Sequence, residues 1–366
     1  MAGNQDTAAL FQAIASGGGR AVSMGDIDQF EAVDVGAPFK LMQERSPMDV
    51  AIMKQIVRQK DLQLRGAVHD IIDNRIDAAL QRIETQTADR VARSASAALP
   101  ESAIQETEAP VNDIVEDWTD RTPEARSRTL IIAQLNADRK AINAGIHATL
   151  AARGELGEKA IKVPVLDKIT HTRHAFNKTE AWEPGMVVKR GDRYQDVVAV
   201  DRNGSTVTVR DEEGKIGLVS PKELITGDVQ LFRRSEMEVR SGDLLKFTAT
   251  DREQGQMANQ RYTVESVSEE GNIRLKGENG RVTINPEKVR AQQHLDYGWA
   301  VTGYGAQGAS SDYVIALEGT KDGRKALASR RAFYISTSRV KEHVQIYTDN
   351  KAYWVKAIKT PERDIK

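Results

Sequence analysis

Two clusters near the C-terminus carry side chains that can meet a ligand. Residues 302–308 read TGYGAQG and residues 336–339 read STSR. Gln307 and Arg339 therefore fall beside short apolar runs at 312–317 and 343–347, with a helical stretch across 321–340 between the runs. Helix, strand, helix, strand in that order predicts a piece of parallel α/β sheet, and open sheets of this kind gather ligands at the ends of their elements. The same pattern fits an ordinary α/β core with a surface arginine, and spacing does not choose between them.

Two more clusters lie early in the chain. Residues 25–29, GDIDQ, follow a short β-like run at 20–24, which puts Gly25, Asp26 and Gln29 in a loop at a strand's carboxyl end. Such a loop holds a phosphate-bound metal or a water, or is a plain Asx-rich turn. Arg58 and Gln59 end a predicted helix marked by Ser46 as N-cap, Pro47 at the first position and Asp49 in the first turn, with Val50, Met53, Ile56 and Val57 as its apolar face. An arginine there suits the helix dipole whatever else it does. Asn136 reads as the N-cap of a helix running to 152 with Ile142, Ile146 and Leu150 as its buried stripe, and Asn143 lies two turns in beside Arg139 and Lys140. That polar edge is either solvated or reaches a nucleic-acid backbone.

The elements that must position these groups are legible in outline. A short helix at 6–16 ends on three glycines, and 61–84 continues helical with Val68, Ile71, Ile72, Ile76, Ala79 and Leu80 as its stripe. Residues 85–110 turn to Ala, Ser, Thr, Gln and Glu, with prolines at 100 and 110, and read as a flexible stretch. Helices near 111–118 and from Thr122-Pro123 follow, then a strand at 129–133. Residues 185–289 change character. Alternating runs at 186–189, 196–200, 206–210 and 216–219, then at 244–248, 261–267, 272–276 and 281–284, are separated by Gly-Asp, Asn-Gly and Glu-Gly turns. Two small antiparallel barrels of SH3 or OB type are the economical interpretation.

Composition narrows the chemistry. With 366 residues, 40% of them hydrophobic and 29% charged, the chain is long enough for two or three domains. The 52 basic and 53 acidic residues leave a net charge of -1, so any nucleic-acid groove must be local. There is no cysteine, which excludes disulfides and thiolate zinc and fits a cytoplasmic setting. The six histidines form no ligand set, and His171 with His174 reads as a solvated loop pair, so no metal site is expected. Neither a membrane-spanning run nor an export signal appears, and no membrane insertion is expected.

Taken as an ordered set across nearly the whole chain, these motifs resemble the superfamily 1 DNA helicases of the RecD-like type, and most closely the helicase region of TraI-type conjugative relaxase-helicases. Gly25-Asp26-Ile27-Asp28-Gln29 resembles the motif that couples the ATP site to DNA, and Arg58-Gln59 the motif whose arginine approaches the γ-phosphate. Residues 302–308 resemble the motif on the DNA side of the second RecA-like domain, residues 333–339 the last motif with Arg339 as arginine finger, and the stretch from Gly242-Asp243 to Asn259 the start of the inserted barrel.

The resemblance implies an α/β fold: a RecA-like parallel-sheet domain interrupted by an inserted all-β lobe of two small SH3/OB-like barrels, with a helical N-terminal segment. Its expected boundaries are 1–45 for a remnant of the first RecA-like domain, 46–120 for a helical connection, 121–160 with 290–366 for the second RecA-like domain, and 161–289 for the β lobe. Arg58 and Arg339 would act on ATP, Gly25, Asp26, Gln29 and Gln59 would couple it, and Asn136, Asn143, Thr302, Tyr304, Gln307 and Gly308 would face single-stranded DNA.

No G-x-x-x-x-G-K-S/T phosphate loop occurs in the sequence, and no acidic DE motif precedes residue 25. ATP and Mg²⁺ are thus expected in the full-length enzyme and not on this chain alone, which reads as the distal part of a 5′ to 3′ helicase. The remainder of the relaxase-helicase and the conjugative secretion machinery are its expected partners, and the full-length protein would act in the cytoplasm and pass to a recipient cell. The alternative is a non-catalytic module that binds single-stranded DNA and serves as a secretion signal.

Overall fold

The chain sorts into two units, Met1–Thr149 with Trp299–Lys366, and Leu150–Gly298. The computed structural model describes residues 3–30, 37–46, 48–53, 55–86, 92, 100–169, 176–224 and 229–360; His171, His174 and Pro47 lie outside them.

The first unit opens with α1 (Asn4–Ser16), closed by the glycines at 17–19, whose N–H groups return to carbonyls of its last turn. Residues 20–24 form no strand, contrary to expectation. Val22 and Met24 are exposed, and without a neighbouring ladder an extended β-prone run stays unpaired. Next, α2 (Pro38–Arg45) ends at Ser46, whose hydroxyl and N–H both return to the carbonyl of Met42. Ser46 therefore closes one helix instead of opening another, and the described residues of 46–59 form no helix, with Val50, Met53 and Val57 exposed. The cause is tertiary: the Lys60 N–H donates to Lys341 O at 2.7 Å, a pairing with a distant segment that overrides local helical periodicity.

Asp61 then caps α3 (Leu62–Ile72) by accepting from the Leu64 N–H at 2.8 Å, and Asn74 turns the chain at φ 60 into α4 (Ile76–Glu84). These helices bury the predicted stripe, including Val68, Ile71, Ile76, Ala79 and Leu80. After β1 (Ile104–Glu106) come α5 (Pro110–Asp120), α6 (Pro123–Ser127, capped by Thr122), β2 (Thr129–Ala133) and α7 (Asn136–Ala152).

The strands of the second unit pair antiparallel in its two sheets. Its strands are β3 (Ala160–Lys168), β4 (Val187–Arg190), β5 (Arg193–Asp201), β6 (Thr206–Asp211), β7 (Ile216–Val219), β8 (Val229–Arg240), β9 (Leu244–Phe247), β10 (Arg261–Val267), β11 (Ile273–Gly277), β12 (Gly280–Ile284) and β13 (Leu295–Tyr297). Hydrogen bonding orders them β3-β8-β4-β5-β6-β7 and β12-β11-β10-β9-β13. Where two small barrels were expected, the strand pairing among the described residues gives two antiparallel sheets. Gly191 shows the turn chemistry: its φ of 58 opens the two-residue loop between paired Arg190 and Arg193. The unit runs from Leu150 to Gly298, so residues 150–160 and 290–298, with β13 among them, fall in it beside the expected 161–289. Within it, Tyr194 OH and His294 Nε2 meet at 2.9 Å, and Arg290 bridges to Asp196 at 3.0 Å.

The first unit resumes with β14 (Ala300–Val301), α8 (Gly303–Ala306), β15 (Ser311–Glu318), α9 (Arg330–Ser338), β16 (Val340–Thr348) and α10 (Lys351–Lys359). Its sheet runs β1-β16-β15-β2-β14 with every neighbouring pair parallel. Residues 129–133, TLIIA, are buried on both faces, as a central parallel strand requires. The core gathers Leu130, Ile132, Val314 and Ala316 from the sheet with Phe333, Ile335 and Trp354 from α9 and α10.

Candidate functional site

The helix α9 begins at Ser329, whose hydroxyl accepts from the Ala332 N–H, and buries nearly every residue from Ala332 onward. It ends at Arg339, and β16 starts at the next residue, so the arginine is held at a helix-to-strand corner with no loop to swing on. The Arg339 side chain is 2% exposed, and its Nε and Nη2 have no hydrogen-bond partner among the described residues. Burial, and then the nearby Arg58 charge, hold its guanidinium below the ordinary arginine range, while Tyr334 and Asp26 act the other way. A buried cation with idle donors is costly unless an anion completes it.

Arg58 approaches from outside α9, donating from Nη1 to the Ser338 carbonyl at 2.5 Å. Gln59 is buried beside it, and its Nε2 donates to Ser338 O at 3.2 Å and Val340 O at 2.9 Å. Arg65 in turn grips the Gln59 carbonyl with Nη2 at 2.7 Å. The extended run at 58–60 thus clamps both sides of the Arg339 corner.

The GDIDQ loop reaches the same helix. Asp26 Oδ1 accepts from the Asp28 N–H at 3.0 Å, forming the Asx turn, while its Oδ2 accepts from Gln29 Nε2 at 2.8 Å and from Tyr334 OH at 2.9 Å. Burial, then the Asp26 charge, raises the Tyr334 phenol well above its usual range and keeps it a donor. Arg330, one turn earlier on α9, donates to Asp28 Oδ1 at 3.0 Å. Residues four apart share a helix face, so Arg330 and Tyr334 together bind the loop to α9. Gly25 lies against Phe39, where a Cβ would stand 3.0 Å from the ring.

On the other flank, Thr302 caps the one-turn α8 by accepting from the Gly305 N–H at 3.2 Å. Tyr304 is 47% exposed and stacks on Phe30, ring centroids 4.4 Å apart and 24° between planes. Phe30 directly follows Gln29, so this stack joins the 302–308 segment to the GDIDQ loop. Gln307 is half-buried at the C-cap of α8, and Gly308 takes a φ of 83 in open space.

The two asparagines fall elsewhere. Asn136 is the first residue of α7 and accepts from Arg139 Nε at 3.1 Å. Asn143 is 1% exposed: Nδ2 donates to Ala300 O at 3.3 Å and Oδ1 accepts from the Ala300 N–H at 2.7 Å. Its amide bonds both main-chain groups of Ala300 on an edge strand. Sequence reasoning missed Arg330, Tyr334 and Phe30; the four-residue spacing in RRAFYIST was the available signal for the first two. It also missed Glu318 at the end of β15, whose carboxyl burial pushes up to about 7.

A family model described as an AAA domain matches residues 1–94. The chain is 38% identical, over 98% of its length, to the multifunctional conjugation protein TraI of Escherichia coli, and equally to that of strain K12. It spans 22% of the length of each of these relatives. The conjugal transfer protein TraA of Agrobacterium fabrum is 25% identical over 43% of the chain, which covers 13% of that protein. Among solved structures, a Pif1 helicase from Bacteroides in complex with ADP-AlF3 and ssDNA is 15% identical, with 94% of this chain and 65% of that one covered and a TM-score of 0.36. Overlap that loose transfers no residue roles.

Proposed function

We infer that this chain, related along 98% of its length to a segment of the TraI conjugation proteins, works as part of an ATP-dependent DNA helicase in plasmid conjugation. The observation that carries the reading is Arg339: a buried guanidinium with idle Nε and Nη2 donors, fixed at a helix end by Arg58 and Gln59 and placed on the same helix as the partners of the GDIDQ loop. Such donors suit the oxygens of a transferring phosphoryl group. ATP with Mg²⁺ would supply that group, and the phosphate cradle itself would come from sequence outside these 366 residues. Arg58 and Arg339 would then bear the charge that develops in the transition state. Asp26, through Tyr334, and Phe30, through Tyr304, would link that site to single-stranded DNA lying against residues 302–308. We assign 5′ to 3′ movement from the family resemblance.

The test is Arg339→Ala and Arg339→Lys in the full-length protein, with ATP, Mg²⁺ and single-stranded DNA. An arginine finger contributes about 10³ to 10⁵ in rate, so alanine should lower turnover at least about a thousandfold, with lysine recovering only part of it. Turnover within about threefold of wild type would remove the assignment. It would favour the other reading, a non-catalytic module for single-stranded DNA binding and secretion.

A further inference from the structure

One buried acid lies between the arginine helix and the 302–308 segment, and the proposed function gives it no role. Glu318 ends β15 and is 1% exposed. Its Oε1 accepts from Ser336 Oγ at 2.7 Å and from Gln134 Nε2 at 3.5 Å, while Oε2 has no hydrogen-bond partner among the described residues. The Trp354 indole N–H acts on the same carboxyl without closing a hydrogen bond. Ser336 lies three residues before Arg339, about one helical turn away. Gln134 follows β2 by one residue, and its other amide atom, Oε1, packs on Gly303, the first residue of α8; a Cβ at 303 would collide with it.

The geometry points to Glu318 as a positioning residue that couples the 302–308 segment to Arg339, through the Gln134 amide on one side and the Ser336 hydroxyl on the other. The role rests on the functional reading given above. Its physics is an amide with two distinguishable ends. While Glu318 is ionised it is acceptor-only, so Gln134 turns Nε2 toward it and Oε1 toward Gly303. Protonation at the unpartnered Oε2 removes the charge that strengthens the Ser336 and Gln134 hydrogen bonds to Oε1, and so loosens both links. A displacement of Gly303 by a strand lying on Tyr304 acts on the same amide, hence on the carboxyl and the α9 turn above Arg339.

The charged groups around Glu318 do not compensate it. Asp138 on α7, Arg324 and Asp349 at the end of β16 pair with one another, with Arg324 Nε and Nη2 each 2.7 Å from Asp138 and Nη1 2.9 Å from Asp349. The groups that α9, α10 and the end of β2 direct at the carboxyl are the uncharged Ser336, Trp354 and Gln134. Burial holds the carboxyl near neutrality, at about 7.

The experiment compares full-length wild type with Glu318→Gln, Gln134→Ala and Ser336→Ala, using oligo-dT of about 20 nucleotides as probe. The expected result for Glu318→Gln is oligo-dT affinity within about twofold of wild type, a DNA-dependent rise in ATPase reduced about tenfold, and loss of the dependence of that rise on pH between about 6 and 8. Gln134→Ala and Ser336→Ala should each reproduce part of the uncoupling, and they carry the test if Glu318→Gln fails to fold. A wild-type rise with an unchanged pH profile in these variants overturns the proposal. So does a parallel fall of DNA affinity, ATPase and melting temperature, which would mark a purely structural role. An Arg339→Ala protein that keeps its ATPase would instead sink the functional reading, whatever Glu318→Gln does.

Discussion

Arg58 donates from Nη1 to the main-chain carbonyl of Ser338 at 2.5 Å, so one arginine of the site fixes the backbone from which the other projects. Two cations are thereby held near each other, and the Arg58 charge depresses the Arg339 guanidinium. On the proposed reading, Arg58 serves the site by position as well as charge.

Removing that grip should cost alignment first. In the full-length protein Arg58→Ala is expected to lower ATP turnover about a hundredfold, the scale of a misplaced catalytic group. Gln59→Ala acts on the same corner from a buried position, freeing the Ser338 and Val340 carbonyls from its amide. We expect it to weaken the local structure by about 1–3 kcal/mol. Hydrogen–deuterium exchange over residues 336–342 reads this directly, and protection equal to wild type in both variants would show that the clamp is dispensable.

Gly303 and Gly308 should fail for different reasons. A Cβ at 303 meets Gln134 Oε1 and stands 2.7 Å from Phe30 Cε2, so Gly303→Ala is an overpacking change of about 1–3 kcal/mol. A Cβ at 308 meets nothing, but the φ of 83 strains any L side chain, for about 1–2 kcal/mol. Adding Gln134→Ala should therefore rescue part of the Gly303→Ala loss, the Phe30 contact remaining, and none of the Gly308→Ala loss. Thermal melting of the two double variants checks this; equal rescue at both glycines would contradict it.

These contrasts show what the sequence could and could not carry. The central strands of the first unit were legible because a strand buried on both faces is apolar throughout, as in 129–133. The hairpins of the second unit were legible from turn chemistry, as at Gly191. Nothing local could reveal β8, where LFRRSEMEVR mixes charges into a strand flanked by two others, β3 and β4. The supposed helix over 46–59 misled for the opposite reason: good spacing and a good cap lost to pairing with residues 338–341, some 280 positions away. At the site, arginine and glutamine motifs announced themselves by residue type. Asn143 did too, and only the fold shows its amide committed to Ala300.

Acid should push the two units in opposite directions. Burial lowers the His294 imidazole from 6.5 to about 4, so between those values the unfolded chain holds a proton the folded one lacks, and stability is lost as pH falls from 6.5 toward 4. For Glu318 the shift runs from 4.5 up to about 7; there the folded chain holds the extra proton, and stability is gained as pH falls from 7 toward 4.5. Each shift amounts to about 3 kcal/mol at most. Denaturation at pH 7.5 and 5 should therefore show a smaller acid loss in His294→Gln than in wild type and a larger one in Glu318→Gln. The same acid response in all three proteins would mean that neither group is held as described.

Tyr304 presents an aromatic face about half exposed and already backed by Phe30, which is the arrangement of a stacking platform for a nucleic-acid base. Base–aromatic stacking contributes about 1–3 kcal/mol, so Tyr304→Ala should weaken oligo-dT binding by about fivefold to a hundredfold, while Tyr304→Phe, which keeps the ring, should stay close to wild type. Salt separates this from an electrostatic effect. Each phosphate neutralised adds about 0.7 to the slope of log affinity against log salt, and neither variant removes a cation, so both slopes should match wild type. Fluorescence anisotropy at several salt concentrations gives affinity and slope together. Unchanged affinity in Tyr304→Ala would reduce the tyrosine to packing on Phe30, and a shallower slope would mean that the substitution had displaced a basic side chain instead of a stacking face.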